Sequence, residues 1–235
     1  GSTTIKFQSK NLWLSRRGFG SNPGVFFVGY VDDVRIWDYA LNTTEAKSVF
    51  PLAGTEIMST TGLVLNWQLE GDLSDSGQGG SHSATVTAGP NPTWTADAMS
   101  GSQSMSIGGT TSLSASNPTR LLAMGNSAFT ISSWIKASSL PTVRGWVLQL
   151  GQSAVSNSFF WLLTSTGAMR IGNRANTTQL SINEEIFTQP YRWVYVTTTF
   201  NRATLSVFVD GFLASSMTTS FNFNTQQFAL ATVPS

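Results

Sequence analysis

Apolar and polar residues alternate with period two along most of this chain, the pattern of strands with one buried and one wet face. Leu63, Leu65, Trp67 and Leu69 fall on one face, opposite Val64, Asn66, Gln68 and Glu70. The same alternation places Phe129, Ile131, Ser133 and Ile135 together, and Trp146, Leu148 and Leu150 together. Phe159-Phe160-Trp161-Leu162-Leu163 is apolar on both faces, which predicts a central strand covered from both sides. Met169/Ile171 and Leu180/Ile182 give shorter strands, split by an Asn-rich turn at 172–176. Strands at 191–199 and 205–209 follow, joined around Asn201-Arg202. Asp210-Gly211 then predicts a tight hairpin into Phe212-Leu213-Ala214, since those two residues tolerate positive φ.

One helix is expected. Asn42 stands as its N-cap with Glu45 three residues later, ahead of Ala46, Val49 and Phe50, and Pro51 stops it. Many short strands, dense turn residues and a single short helix make the chain all-β, a β-sandwich of two antiparallel sheets.

A repeat overlies this pattern. The segment from Thr3 to Leu14 aligns without a gap on the segment from Thr219 to Leu230, matching Ile5/Phe221, Phe7/Phe223, Leu12/Phe228 and Leu14/Leu230 with polar residues between. A period of that length marks a duplicated domain. The chain is therefore expected to open near the end of one unit and to stop before a second is finished.

Four segments resemble the laminin-G-like, concanavalin A-like jelly roll, the lectin/glucanase and pentraxin-like fold. Gly62-Leu63-Val64-Leu65-Asn66-Trp67-Gln68-Leu69-Glu70 with Leu73-Ser74-Asp75-Ser76-Gly77 is similar to that family's opening strand and Asp-Ser-Gly loop. Ala128-Phe129-Thr130-Ile131-Ser132-Ser133-Trp134-Ile135-Lys136 resembles its early core strand. Arg192-Trp193-Val194-Tyr195-Val196-Thr197 and the stretch from Leu205 to Gly211 resemble its late hairpin. The closing strand and helix, Gly29-Tyr30-Val31-Asp32-Asp33-Val34-Arg35-Ile36-Trp37-Asp38-Tyr39-Ala40-Leu41, stand near the N-terminus instead, so the strand order is permuted.

The resulting division is 1–56, a C-terminal strand-helix piece of one repeat unit, and 57–235, the main body of a jelly roll lacking its own closing strand. Burying four or five large side chains of that strand is worth roughly 6–15 kcal/mol at about 1.5–3 kcal/mol each. A typical domain's whole net stability is about 5–15 kcal/mol. The early segment is therefore expected to complete the later body, within one chain as a circular permutant or between chains by strand complementation. One copy of the repeated segment is then redundant, expected as an edge strand, disordered or exchanged.

Composition narrows the function. Charged residues are 11% of the chain and the net charge is +1, so no electrostatic footprint for nucleic acid is present. No apolar run is long enough for membrane insertion, and the absence of cysteine removes disulfides and thiolate metal sites. The paired-carboxylate strand of this fold's hydrolases, Glu-x-Asp-x-x-Glu, does not occur among Glu45, Glu56, Glu70, Glu184 and Glu185, and His82 has no serine or cysteine partner context. No enzyme activity is expected.

The resemblance implies calcium as the candidate cofactor, held by Asp75 with Asp33 or Asp32. The alternative stands beside it: Asp75 caps its own turn, and Asp33 pairs with Arg35 or Arg120. Asn157, Asn173, Arg174 and Asn176, in two Ser- and Asn-rich loops, are the candidate ligand-binding residues. Trp161, Trp134, Trp146 and Tyr195 fall on alternating strand positions, where core packing is the commoner fate. The resemblance and composition together imply a non-catalytic adhesion or glycan-binding module of a tandem-repeat surface protein, extracellular or at the cell surface. Its partners would be a glycan or cell-surface protein and neighbouring repeat units. The alternatives are a structural module that builds a fibre or stalk, and an accessory domain of a glycan-degrading enzyme.

Overall fold

Alternating strands close over one another in two antiparallel sheets. The computed structural model describes residues 12–14, 27–50, 60–77, 83–108, 111–115, 128–142, 144–150, 159–173, 179–181, 187 and 191–219. The first sheet runs β12 (Gln179–Ser181), β11 (Met169–Asn173), β10 (Phe159–Thr164), β9 (Arg144–Leu150), β1 (Leu12–Leu14), β7 (Ser112–Ala115) and β4 (Thr85–Ala88). The second runs β15 (Phe212–Thr218), β14 (Thr204–Val209), β13 (Val194–Phe200), β8 (Phe129–Ala137), β2 (Gly29–Trp37), β6 (Ser104–Ile107) and β5 (Thr93–Thr95), with β3 (Leu63–Trp67) also on β2. The all-β sandwich expected from the sequence is the fold observed.

The core lies between the sheets. Phe129 and Ile131 of β8 and Val196 of β13 meet Phe159 and Trp161 of β10 and Leu148 of β9 in one buried cluster. The rings of Phe129 and Phe159 make an edge contact across the gap at 5.2 Å.

The early segment supplies β2. Gly29 to Asp32 and Arg35 to Trp37 pair with β8 on one side. On the other side, Gly29 to Val31 pair with β6 and Val34 to Trp37 with β3. Val31, Val34 and Ile36 enter the main core. Leu12–Leu14, the end of the first repeat copy, lies between β9 and β7, with Trp13 opposite Gln149 and Ser114. Residues 3–11 and 220–230, which hold the rest of the two copies, and the linker at 51–59 lie outside the described residues.

Among the described residues, five strand pairs carry a register shift, and two of these shifts move a large side chain away from the face that alternation predicts. Trp37 pairs with Leu63 and Ile36 with Leu65, so Val64 is the extra residue of a bulge. Leu63 therefore turns to the outer face beside Trp37, while Val64 joins Leu65 and Trp67 in the core. In the same way Leu148 faces Trp161 but Trp146 faces Leu162. Trp146 then packs outward with Phe160 and Leu162 instead of sharing a face with Leu148.

The short helix α1 (Thr43–Ser48) begins as its sequence requires. The Asn42 side chain accepts from the Thr44 and Glu45 N–H groups, and Glu45 reaches back to the Asn42 N–H at 2.8 Å. Ala46 buries the helix on the outer face of the second sheet, over a cluster of Trp37, Leu41, Val49, Trp134, Tyr195 and Phe208.

Candidate functional site

Beyond the helix, the outer face of the second sheet carries a compact group of aromatic and charged side chains. β2, β8 and β13 are neighbours, so Tyr30 lies opposite Lys136, and Ile135 opposite Val194, one residue after Trp193. The Lys136 Nζ sits 4.3 Å from the Tyr30 ring centroid and 5.1 Å from that of Trp193. The two rings are 6.3 Å apart and inclined by 56°. Asp97, from the segment after β5, ion-pairs with Lys136 and accepts the Trp193 indole N–H at 2.8 Å.

The electrostatics explain why a lysine is tolerated there. Its side chain is only 6% exposed, and a buried ammonium persists only when paired. Two ring faces and a carboxylate provide that pairing. The Asp97 side chain is 50% exposed, and hydrogen bonds from Lys136 first and Trp193 second hold its carboxyl below the usual range. Asp97 therefore stays ionised, an acceptor facing water.

The adjacent rim is unusual. Tyr191 is 66% exposed, yet its φ is 72°, a left-handed backbone that bulky residues avoid. Its N–H is fixed to the Ala137 carbonyl at 2.9 Å, next to Lys136.

A family model for the concanavalin A-like lectin/glucanases superfamily matches residues 107–233, more than half of the chain. This chain belongs to that superfamily. No curated protein and no solved structure matches it. Membership makes it a carbohydrate-binding type of module in general terms; the superfamily holds both lectins and glucanases.

The carboxylates expected to hold calcium are placed differently from one another. Asp75 lies in the loop after β3, where its Oδ1 accepts the Asn66 N–H at 2.9 Å and the Gly77 N–H at 2.8 Å. Asp33 is ion-paired with Arg35 at 2.6 Å. Asp32 Oδ2 accepts the Met99 and Ser100 N–H groups, both at 2.9 Å. Asp32 Oδ1 and Asp33 Oδ1 are buried without a hydrogen-bond partner. Burial pushes the Asp32 carboxyl up to about 7 and Asp33 up to about 6, against the pull of those donors. Calcium takes six to eight oxygens. Here the three carboxylates face backbone N–H groups and a guanidinium, and among the described residues no group of three or more His, Asp or Glu is placed to hold a metal. The described residues do not fit the ion.

The loop candidates fall elsewhere. Asn157, Arg174 and Asn176 lie outside the described residues, as do His82, Glu184 and Glu185. Asn173 ends β11 opposite Phe159. Of the aromatic candidates, Trp161 lies in the core and Trp134 and Tyr195 lie under the helix, while Trp146 is buried against Phe160.

Sequence reasoning passed over Tyr30, Lys136, Trp193 and Asp97. A signal was present: Lys136 and Tyr30 occupy the face of their strands turned away from the main core, alternating with Ile135 and Val31. What the alternation could not show was that β2 lies beside β8.

Proposed function

We propose that this chain is a non-catalytic glycan-binding and adhesion module displayed outside the cell by a surface protein. The observation that carries the reading is the aromatic pair at Tyr30 and Trp193, held beside the water-facing Asp97 carboxylate on a superfamily fold of lectin type. Aromatic rings with a few fixed polar groups are what a sugar site needs. A non-catalytic role is supported by the engagement of the carboxylates. Glycoside hydrolysis requires two carboxyl groups flanking a substrate. Here Glu70 Oε2 takes the N–H groups of Ser102 and Gln103, and Asp32, Asp33 and Asp75 are tied as described. No helix among the described residues is long and apolar enough to cross a membrane.

The test is binding of the full chain to immobilised neutral, acidic and amino polysaccharides, with product analysis after prolonged incubation. Retention on a glycan without release of reducing ends is the expected result. Release of shorter sugars would contradict the non-catalytic reading, and failure to bind any polysaccharide would contradict the glycan-binding one.

A further inference from the structure

The rim of the second sheet, where β2 and β13 begin and β8 ends, sets a half-buried Trp193, packed against the cluster under the helix, beside a half-exposed Asp97 and an exposed Tyr191. Trp193 is fixed on two sides: its indole N–H is held by Asp97, and its ring is backed by Lys136 and Tyr30. A ring pinned in this way binds without losing rotamer freedom. Asp97 keeps acceptor capacity on a half-exposed carboxylate, since each oxygen can accept more than one hydrogen bond. Tyr191 holds a large ring in water on a strained backbone, and strain of that kind persists where the surroundings impose it and is a pointer to function.

Charge selects the ligand class. Lys136 is neutralised by Asp97, and the neighbouring Arg192 by Asp210 at 2.6 Å. Neither a strongly anionic nor a cationic ligand gains from such a surface. Tyr191 is the exposed ring of this rim and Trp193 is half-buried, so the contact they offer is small beside the roughly 800 Å² per partner of a stable protein interface.

We propose that Trp193 and Tyr191 are stacking surfaces, with Asp97 as hydroxyl acceptor, for an uncharged pyranose oligosaccharide at this end of the sheet. The inference rests on the glycan-binding reading and gives it a place. Apolar C–H faces of the sugar lie on the rings, and its hydroxyl groups donate to the Asp97 carboxylate.

The experiment is calorimetric titration of the full chain and its variants with neutral gluco-, galacto- and manno-hexasaccharides. Hexagalacturonate and a chitosan hexamer serve as acidic and cationic probes. A neutral hexasaccharide is expected to bind, and Tyr191→Ala, Asp97→Asn and Trp193→Ala each to weaken it by about 5–30-fold, the effect of losing one well-placed contact. Tyr191 is exposed, so its variant reports on binding even if Trp193→Ala fails to fold. Unchanged affinity in folded Tyr191→Ala and Asp97→Asn would overturn the location while leaving glycan binding standing. Preference for either charged hexamer would overturn the ligand class. No binding of any hexasaccharide by the parent chain would remove the glycan-binding reading and this inference together.

Discussion

Tyr191 sets an aromatic side chain on a backbone that suits glycine. A left-handed conformation costs a non-glycine residue about 1–2 kcal/mol, and a ring that is 66% exposed recovers little of it by packing. Tyr191→Gly is therefore expected to leave the melting midpoint unchanged or raised in scanning calorimetry; a fall of several degrees would show that the ring packs after all. Asp32 and Asp33 store a different tension. Both are acids whose folded pKa, about 7 and about 6, lies above the unfolded value near 4. The native state therefore keeps their protons longer than the unfolded chain does. Their contribution to stability is complete below about pH 4 and is lost as pH rises through 6 and 7. Titratable neighbours Glu70 and Arg35 share this field, Glu70 raising both carboxyls and Arg35 lowering Asp33. Asp32→Asn is expected to flatten the dependence of unfolding free energy on pH between 4 and 7, by up to about 1.4 kcal/mol per unit. An identical slope in the variant and the parent would contradict the buried, protonated state. The charge of these residues was plain in the sequence. So was Arg35 as a partner of Asp33, two residues away, and the ion pair forms; the donors to Asp32 were not, because Met99 and Ser100 come from a segment distant in the chain.

At the scale of elements, local chemistry was the most legible. The capping box at Asn42 and Glu45 and the turn at Asp210-Gly211 form as the sequence requires, with φ of 50° and 79° in the turn. Asn42→Ala should lower stability by about 1 kcal/mol in denaturant unfolding; no change would mean that packing alone holds the helix. Ile36, wholly buried in β2, should cost about 2–5 kcal/mol when changed to Ala. A loss below about 1 kcal/mol would place β2 outside the core. The bulges were the illegible part. One extra residue flips every side chain beyond it to the other face, and neither Val64 nor Val147 differs in type from its neighbours. Leu63 and Trp146 consequently changed sides.

For the whole molecule, an all-β sandwich could be read from alternation and turn residues, because period two survives in most strands. The candidate site could not. Tyr30, Asp97, Lys136 and Trp193 are scattered along the sequence, and only the order of strands in the second sheet brings them together. Composition pointed instead to Asn- and Ser-rich loops, since amides bind hydroxyls wherever they stand. The candidate site thus depends on the early strand lying between β8 and the β3/β6 side of the sheet, where Tyr30 meets Lys136. Hydrogen exchange of the β2 amides is the most direct test. Protection across Gly29–Trp37 is expected to match that of Phe129–Ala137, because central strands open only with the sheet. Fast exchange in β2 beside a protected β8 would contradict it.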